Sequence, residues 1–331
     1  MNARAPLLMA MGLVGLSLAG LALGMAVGST GWENLGLVWH DEVMWRIVRD
    51  IRLPRTLGAW GAGALLGLAG ALAQGLFRNP LADPYLLGSA SGASLGVALF
   101  LSVFGGGMVS NEWLLRLGMT GAAFVGAVLA VMLTLVLARG VQHTLRLLLC
   151  GVVVGVVLGA LTSCLVQLRP NVLQVVQGFM LGSTAFVDWT SCLLMLVLVG
   201  VCTLLTWVFA RVLDALSLGE NTARSLGVPL GGARVLLVGV LALATGTAVA
   251  QVGLIAFVGL SAPHLVRSSV QAPHRWTLGL SALTGGVLLL AADVLARALL
   301  APQEIPVGVL TALLGGSYLL WLMYRGRAGG A

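Results

Sequence analysis

Several residues in this sequence are of types that could do chemistry. Gly88-Ser-Ala-Ser-Gly92 places Ser89 and Ser91 among small residues, and His264 lies near the end of another apolar stretch. An intramembrane serine hydrolase needs such a serine and histidine together at membrane depth. Here both fall near one side, no oxyanion donor is identifiable, and small residues in such a run serve helix packing more simply. Asp293 is a carboxylate in or near membrane depth, which makes it a candidate proton carrier for a secondary transporter. Arg297 follows at i+4, so an internal pair explains it equally well. His40, His143, His264 and His274 show no metal-ligand spacing. Cys150, Cys164, Cys192 and Cys202 form no CxxC and read as small core hydrophobes. The sequence contains no lysine, so it cannot hold a Walker motif, and any ATP-driven step needs another subunit. No catalytic residue, metal or cofactor is expected in this chain.

The elements that must position these residues follow from composition. Of 331 residues, 59% are hydrophobic and 9% charged, against about 25% charged in a soluble domain. No soluble fold buries so much apolar surface, and the expected fold is an all-α polytopic membrane protein. The 46 glycines suit close helix packing in lipid. Gly88-x3-Gly92-x3-Gly96 and Gly151-x3-Gly155-x3-Gly159 each put three on one helix face. A window of about 20 apolar residues yields ten spans, near 6–28, 56–77, 86–104, 114–138, 145–168, 192–210, 234–250, 253–270, 277–297 and 306–324. The division at Gln251–Gly253 splits one apolar run into two short helices. The apolar run in Met1–Gly28 is too long for a signal-peptide core, so it reads as an uncleaved first span. Residues 1–331 thus form a single transmembrane domain.

Charge chooses the orientation. With both termini in the cytoplasm, the inner segments hold eleven arginines against three acids, and the outer segments seven against eight. The positive-inside rule favours that arrangement. The net charge of +7 is no nucleic-acid signature, since no basic run is interleaved with aromatics. Trp32, Trp39 and Trp45 lie outside, as interfacial belt residues or ligand contacts. Arg46, Arg49, Arg52 and Arg55 crowd the outer end of the second span, and Arg297 the outer end of the ninth. Local pairing with Asp41, Glu42 and Asp50 accounts for Arg46 and Arg49. Arg52 and Arg55 flank Leu53-Pro54 at a helix start, where the macrodipole disfavours cations, which points to an acidic external partner.

The segment 210–232 is the longest break in the apolar pattern and faces the cytoplasm in this orientation. Ser217-x-x-Glu220 has the form of a capping box, Asn221–Leu226 of one short helix, and Gly227 and Pro229 of its stop. A compact capped helix between spans reads as a docking surface or as a solvated loop.

Five segments together resemble one family. They are Ile51-Arg-Leu-Pro-Arg-Thr56, Arg78-Asn-Pro-Leu-Ala-Asp-Pro84, Leu218-Gly-Glu-Asn-Thr-Ala-Arg-Ser-Leu-Gly227, Gly253-Leu-Ile-Ala-Phe-Val-Gly-Leu-Ser-Ala-Pro-His264 with Arg267, and Glu304-Ile-Pro-Val-Gly-Val-Leu-Thr311. In order and spacing they are similar to the permease subunits of type II ABC importers for ferric siderophores, haem and cobalamin. The resemblance implies ten helices per subunit in the bacterial inner membrane. It implies a homodimer with one pathway at its interface. Two ATP-binding cassette subunits, carrying ATP and Mg, sit inside, and one periplasmic substrate-binding protein sits outside. It implies binding-protein docking by Arg52, Arg55 and Arg297. ATPase coupling falls to Ser217, Leu218, Gly219, Glu220, Thr222, Ala223, Arg224, Leu226 and Gly227, with Ala223 and Leu226 inserted into the ATPase. A cytoplasmic gate falls to Asn79, Leu81, Thr144 and Leu145. Alternating access then moves a large chelate, with haem favoured for an aliphatic pathway. A proton-coupled transporter using Asp293 and an intramembrane serine hydrolase are the competing readings.

Overall fold

The computed structural model describes residues 4–28, 31–32, 41–105, 112–138, 144–225, 227 and 230–328. These are almost entirely helical. A first helix α1 (Arg4–Ala26) ends in a two-residue antiparallel pair, β1 (Val27–Gly28) with β2 (Gly31–Trp32). Asp41 caps α2 (Glu42–Ile47) by accepting from the amides of Val43 and Met44, and a π turn (Val48–Arg52) carries the chain without a break into α3 (Leu53–Phe77). Then follow α4 (Ser89–Phe104), α5 (Glu112–Leu137), α6 (Thr144–Leu168), α7 (Leu173–Leu181) and α8 (Trp189–Val208). The short α9 (Ala210–Ser217) and α10 (Glu220–Ser225) lead to α11 (Leu230–Val252), α12 (Val258–Ser269), α13 (His274–Ala298) and α14 (Val307–Ala328).

Among the described residues, seven helices are long and apolar enough to cross a membrane. They are Arg4–Ala26, Glu42–Phe77, Trp113–Leu137, Leu145–Leu168, Trp189–Val208, Leu230–Val252 and His274–Ala298. Ser89–Phe104 and Val307–Trp321 are shorter apolar helices. The expected span at 253–270 is only the twelve-residue α12, preceded by irregular backbone. The expected division of the 233–270 run is present, because α11 stops at Val252 and Gly253 and Phe257 both take left-handed conformations. Irregular backbone at such a depth is tolerable only inside protein. Here the Leu254 amide donates to the Phe179 carbonyl at 3.1 Å, and the Tyr85 hydroxyl donates to the Ile255 carbonyl at 3.2 Å. No helix was expected at 173–181, where α7 lies; nine residues are too few to register as a span.

Helix α3 is the axis of the fold. Its residues from Gly58 to Phe77 are buried on all sides except at Trp60, and it packs against α8, α11, α12 and α13. A helix rich in glycine and alanine on every face can be surrounded at short range. A Cβ at Gly70 would overlap the Gly259 carbonyl of α12, and one at Gly67 the Ser281 carbonyl of α13. The glycine rows divide in function. Gly92 and Gly126 bring α4 and α5 into contact, each leaving space for the other's carbonyl, whereas Gly159 on α6 has open space around it. Cys192 and Cys202 are core residues as expected, but Cys164 is exposed on α6.

Contacts define two ends. Near one lie the start of α1, packed on Trp276, and the end of α3, where Gly75 adjoins His274. This is the proximal end. At the other, distal end, Gly24 meets Thr56 and Arg297. Helix α14 starts beside Leu181 and Leu254 and runs back until Tyr318 meets His264, so it ends on the side where α1 begins.

A leucine at Gly92 or at Gly126 is expected to destabilise the protein by more than about 3 kcal/mol, because backbone stands where the side chain would go. Gly121→Leu, with no atoms near its Cβ position, is expected to change stability little. Thermal unfolding in detergent checks the contrast.

Candidate functional site

The distal end holds a buried ion network assembled from α3, α13 and the segment before α14. Asp293 is 0% exposed and Arg297 1%. Arg297 donates to the Asp293 carboxylate at 2.6 Å, and through its other terminal nitrogen to the carbonyls of Gly24 and Val27, each at 2.9 Å. Arg55 Nε approaches the second Asp293 oxygen at 3.3 Å, while both its terminal nitrogens grip Glu304 at 3.0 and 2.9 Å. The Thr184 hydroxyl also donates to Asp293. Two guanidiniums therefore meet two carboxylates, and a bidentate pair fixes their plane. The glycines at 24 and 28 make the network possible. A Cβ at Gly24 would overlap Thr56, and one at Gly28 would overlap the Arg52 guanidinium.

This geometry corrects two expectations. Arg52 and Arg297 do not face outward to meet an acidic partner. Both are buried, and Arg52 donates to the Met25 carbonyl at 3.2 Å. The unfavourable cations at the start of α3 are compensated from within the chain, by carbonyls at the end of α1 and by carboxylates from α13 and residue 304. Nor is Asp293 an isolated carboxylate ready to carry a proton, since two cations hold it. Local pairing at the surface is confirmed for one residue. Arg49 lies 3.6 Å from Asp50, both exposed, and Arg46 is exposed as well. The π turn bearing these residues is tied to α8, where Trp189 Nε1 donates to the Arg49 carbonyl at 3.0 Å. Arg55 and Glu304 also border a cavity of about 1010 Å³ between α5, α7, α8 and the distal end of α11.

At the proximal end the segment 210–232 is two helices, not a loop and one helix. Ser217 is no N-cap. It closes α9, with its hydroxyl donating to the Asp214 carbonyl at 2.6 Å. Gly219, at φ +107°, makes the break, and its carbonyl accepts from the Ala223 amide at 3.0 Å. Glu220 therefore does not complete a capping box but forms an ion pair with Arg234 of α11. Ala223 is 0% exposed and packs in the core that includes Leu213, Leu216 and Leu230, so it cannot insert into a partner. Leu218, Asn221, Thr222, Ser225 and Gly227 are presented outward, as are Arg211 and Ser217 of α9. Gly227, at φ +74°, ends the segment as expected. Leu226, Pro229 and the Arg224 side chain lie outside the described residues.

Residues expected at a gate stand near the same end. The Asn79 side chain accepts from the Leu81 amide at 2.9 Å, which holds the turn after α3 and leaves Leu81 exposed. Leu145 is exposed in the first turn of α6. Helix α6 packs close to the 3-10 turn Pro84–Leu87, for a Cβ at Gly151 would overlap the Leu86 carbonyl. The Thr144 side chain, His40 and His143 lie outside the described residues. Among those described, no hydrogen bond joins Ser89 or Ser91 to His264, whose ring meets Tyr318 edge-on at 6.0 Å. No cluster of three possible metal ligands occurs among them either.

The described residues thus form a polytopic helical chain with a buried ion network at its distal end and two short clipped helices at its proximal end. Residues 7–325 match the FecCD transport family, and the chain belongs to it. It is 40% identical to the hemin transport system permease protein HmuU of Yersinia pestis, covering 99% of this chain and 98% of the relative. It is 39% identical to the vitamin B12 import system permease protein BtuC of Pectobacterium atrosepticum, covering 87% of this chain and 86% of the relative. Among solved structures, an inward-facing metal-chelate type ABC transporter matches with a TM-score of 0.86 at 29% identity, covering 97% of this chain and 99% of the other. PsaBC from Streptococcus pneumoniae shares the fold at a TM-score of 0.60 and 17% identity. With no lysine for a Walker motif, ATP hydrolysis belongs to a separate subunit.

Removing one partner of a buried ion pair leaves an uncompensated charge, at a cost of about 3–5 kcal/mol. Asp293→Asn is expected to cost that much in thermal unfolding. Arg49→Gln, at an exposed pair, is expected to cost under about 1 kcal/mol.

Proposed function

We propose that this chain is the membrane-spanning permease of an ATP-driven importer that carries a metal chelate into the cytoplasm of a bacterium. Membership of the FecCD family over nearly the whole chain carries this reading. We place the chain in the inner membrane with ten crossings, counting α4, α12 and α14 with the seven long helices. The proximal end, with both termini, is cytoplasmic, in keeping with the arginine distribution. Two copies form a homodimer. Two ATP-binding cassette subunits, with ATP and Mg, meet the proximal end, and one periplasmic binding protein meets the distal end.

Apolar faces support the pathway assignment. Helix α6 exposes Leu149, Val152, Val153, Val156 and Val157, and α14 exposes Leu313, Leu314 and Leu320. Such faces need a cover in the assembly, and a second copy supplies it. Aliphatic walls suit a cargo that must be held weakly and released, because a switch is driven only by differential affinity for its two states. Haem, a flat and largely apolar chelate, is placed ahead of ferric siderophore and cobalamin. Leu81, Leu145, Asn79 and Thr144 form the cytoplasmic constriction. The proton-coupled alternative is not favoured, because Asp293 is locked between Arg55 and Arg297.

Reconstitution with the ATPase and the loaded binding protein tests the reading. Haem uptake is expected on adding ATP and is expected to survive collapse of the proton gradient. Uptake without the ATPase that vanishes with the gradient would refute it.

We assign ATPase contact to Ser217, Leu218, Asn221, Thr222 and Gly227, with Gly219, Glu220 and Ala223 as the support behind them. Docking of the binding protein falls to exposed Arg46 and Arg49, with Arg52, Arg55 and Arg297 shaping the surface from below. Thr222→Arg is expected to leave the permease folded and cut ATP-driven uptake at least about tenfold, equivalent to about 1.4 kcal/mol. Arg49→Glu is expected to weaken binding-protein affinity at low salt and to matter less at high salt. Ala223→Arg is expected instead to lower the folded yield, since it forces a charge into the chain's own core. Normal folding of Ala223→Arg would contradict this division of roles.

A further inference from the structure

Where α8, α9 and α13 meet at the proximal end there is a second cationic feature, built from residues to which neither the pathway nor the ATPase contact is assigned. Helix α8 is apolar and little buried, and its last two turns expose Leu204, Trp207 and Val208. The Arg275 guanidinium lies over the Trp207 ring, 4.0 Å from its centre. Stacking on an exposed indole keeps a guanidinium's N–H edge open while fixing its plane. Arg211 is exposed in the first turn of α9. Among the described residues, neither Arg211 nor Arg275 pairs with a carboxylate. The acid on α9, Asp214, is already engaged. It accepts from the His274 amide at 3.0 Å and sits 2.7 Å from His274 Nδ1. That contact clamps α9 to the start of α13, so the two arginines are displayed from elements held together. The amino end of α13, a 25-residue helix, adds positive potential at the same place.

We propose that Arg211, Arg275 and Trp207 form a binding site for an anionic phospholipid. The arginines take the phosphate of the headgroup, and the indole with Leu204 and Val208 takes the upper acyl chains. Lipid is favoured over an acidic protein because the stacking partner of Arg275 belongs to the apolar face of a membrane-crossing helix. A tryptophan and an arginine at that level match the headgroup boundary. The site rests on the proposed placement of the proximal end in the cytoplasmic leaflet, where anionic lipids attract such residues. It does not depend on the cargo.

The test is titration of the purified full-length permease with phosphatidylglycerol or phosphatidylethanolamine, read by native mass spectrometry without any transport step. Phosphatidylglycerol is expected to bind more tightly. Each of Arg211→Gln and Arg275→Gln is expected to weaken it about fivefold, and the double variant about thirtyfold, on the order of 2 kcal/mol at about 1 kcal/mol per arginine. Phosphatidylethanolamine, whose ammonium cancels the charge of its phosphate, is expected to bind more weakly and to lose less in the variants. Arg169→Gln, an exposed arginine at the distal end, is expected to have no effect. The single variants suffice if the double variant fails to fold. Equal phosphatidylglycerol binding by parent and variants would overturn the proposal. So would displacement of the lipid by millimolar inorganic phosphate, or variants that lose ATPase contact while keeping lipid preference. A permease that binds the lipid as described but imports nothing would count against the importer reading alone.

Discussion

The arrangement depends on one interaction, the charge network in which Asp293 lies between Arg55 and Arg297. In a chain with so few charges, two carboxylates and two guanidiniums are brought together at the end of the most enclosed helix. Desolvation of such groups is expensive, and the expense is offset only when every partner is present. The network therefore couples elements far apart in sequence. It joins the end of α1 through the Gly24 and Val27 carbonyls, the start of α3 through Arg55 and Thr56, the segment before α8 through Thr184, and the segment before α14 through Glu304. A large part of the distal surface takes its shape from this cluster.

The proximal end is built on a different principle. There the ties are pairwise and nearer to the surface. Glu220 meets Arg234, Asp214 meets His274, and Arg267 donates to Gln74. Each clips a short helix to a long one. Such ties hold a segment in place while leaving its outer face free. Ala223 serves the same purpose from within, by packing the small helix onto α9 and α11. The two ends thus divide into a rigid, internally satisfied cap and a surface of clipped small helices.

Between them, the membrane-depth breaks in the chain are tolerated because they are enclosed. The stretch 253–257 between α11 and α12 finds its hydrogen bonds on α7 and on Tyr85. Its Phe257 ring packs over Gly315 of α14.

The helical membrane fold, the seven long apolar helices, the break near Gly253, the stop at Gly227 and the absence of an ATPase motif were all legible in the sequence. Each follows from local facts: a run of apolar residues, a glycine that tolerates positive φ, a missing lysine. The family was legible too, because five short segments recur in order. What only the tertiary structure decided was partnership. The sequence places Arg52 and Arg297 on the side where arginine is disfavoured, and an outside partner explains that as well as an inside one. Their partners are backbone carbonyls and a carboxylate brought in by folding, and no local pattern records a carbonyl at Gly24 or Val27. Ser217 and Glu220 fit a capping box by spacing. The left-handed turn at Gly219 separates them, and a distant arginine, Arg234, claims the carboxylate. Ala223 reads as exposed in a polar segment, yet its smallness is what lets that segment pack against the core. The sequence determines which residues are charged, small or breaking. Only the packing of helices distant in the chain determines which of them meet each other and which are left for a partner.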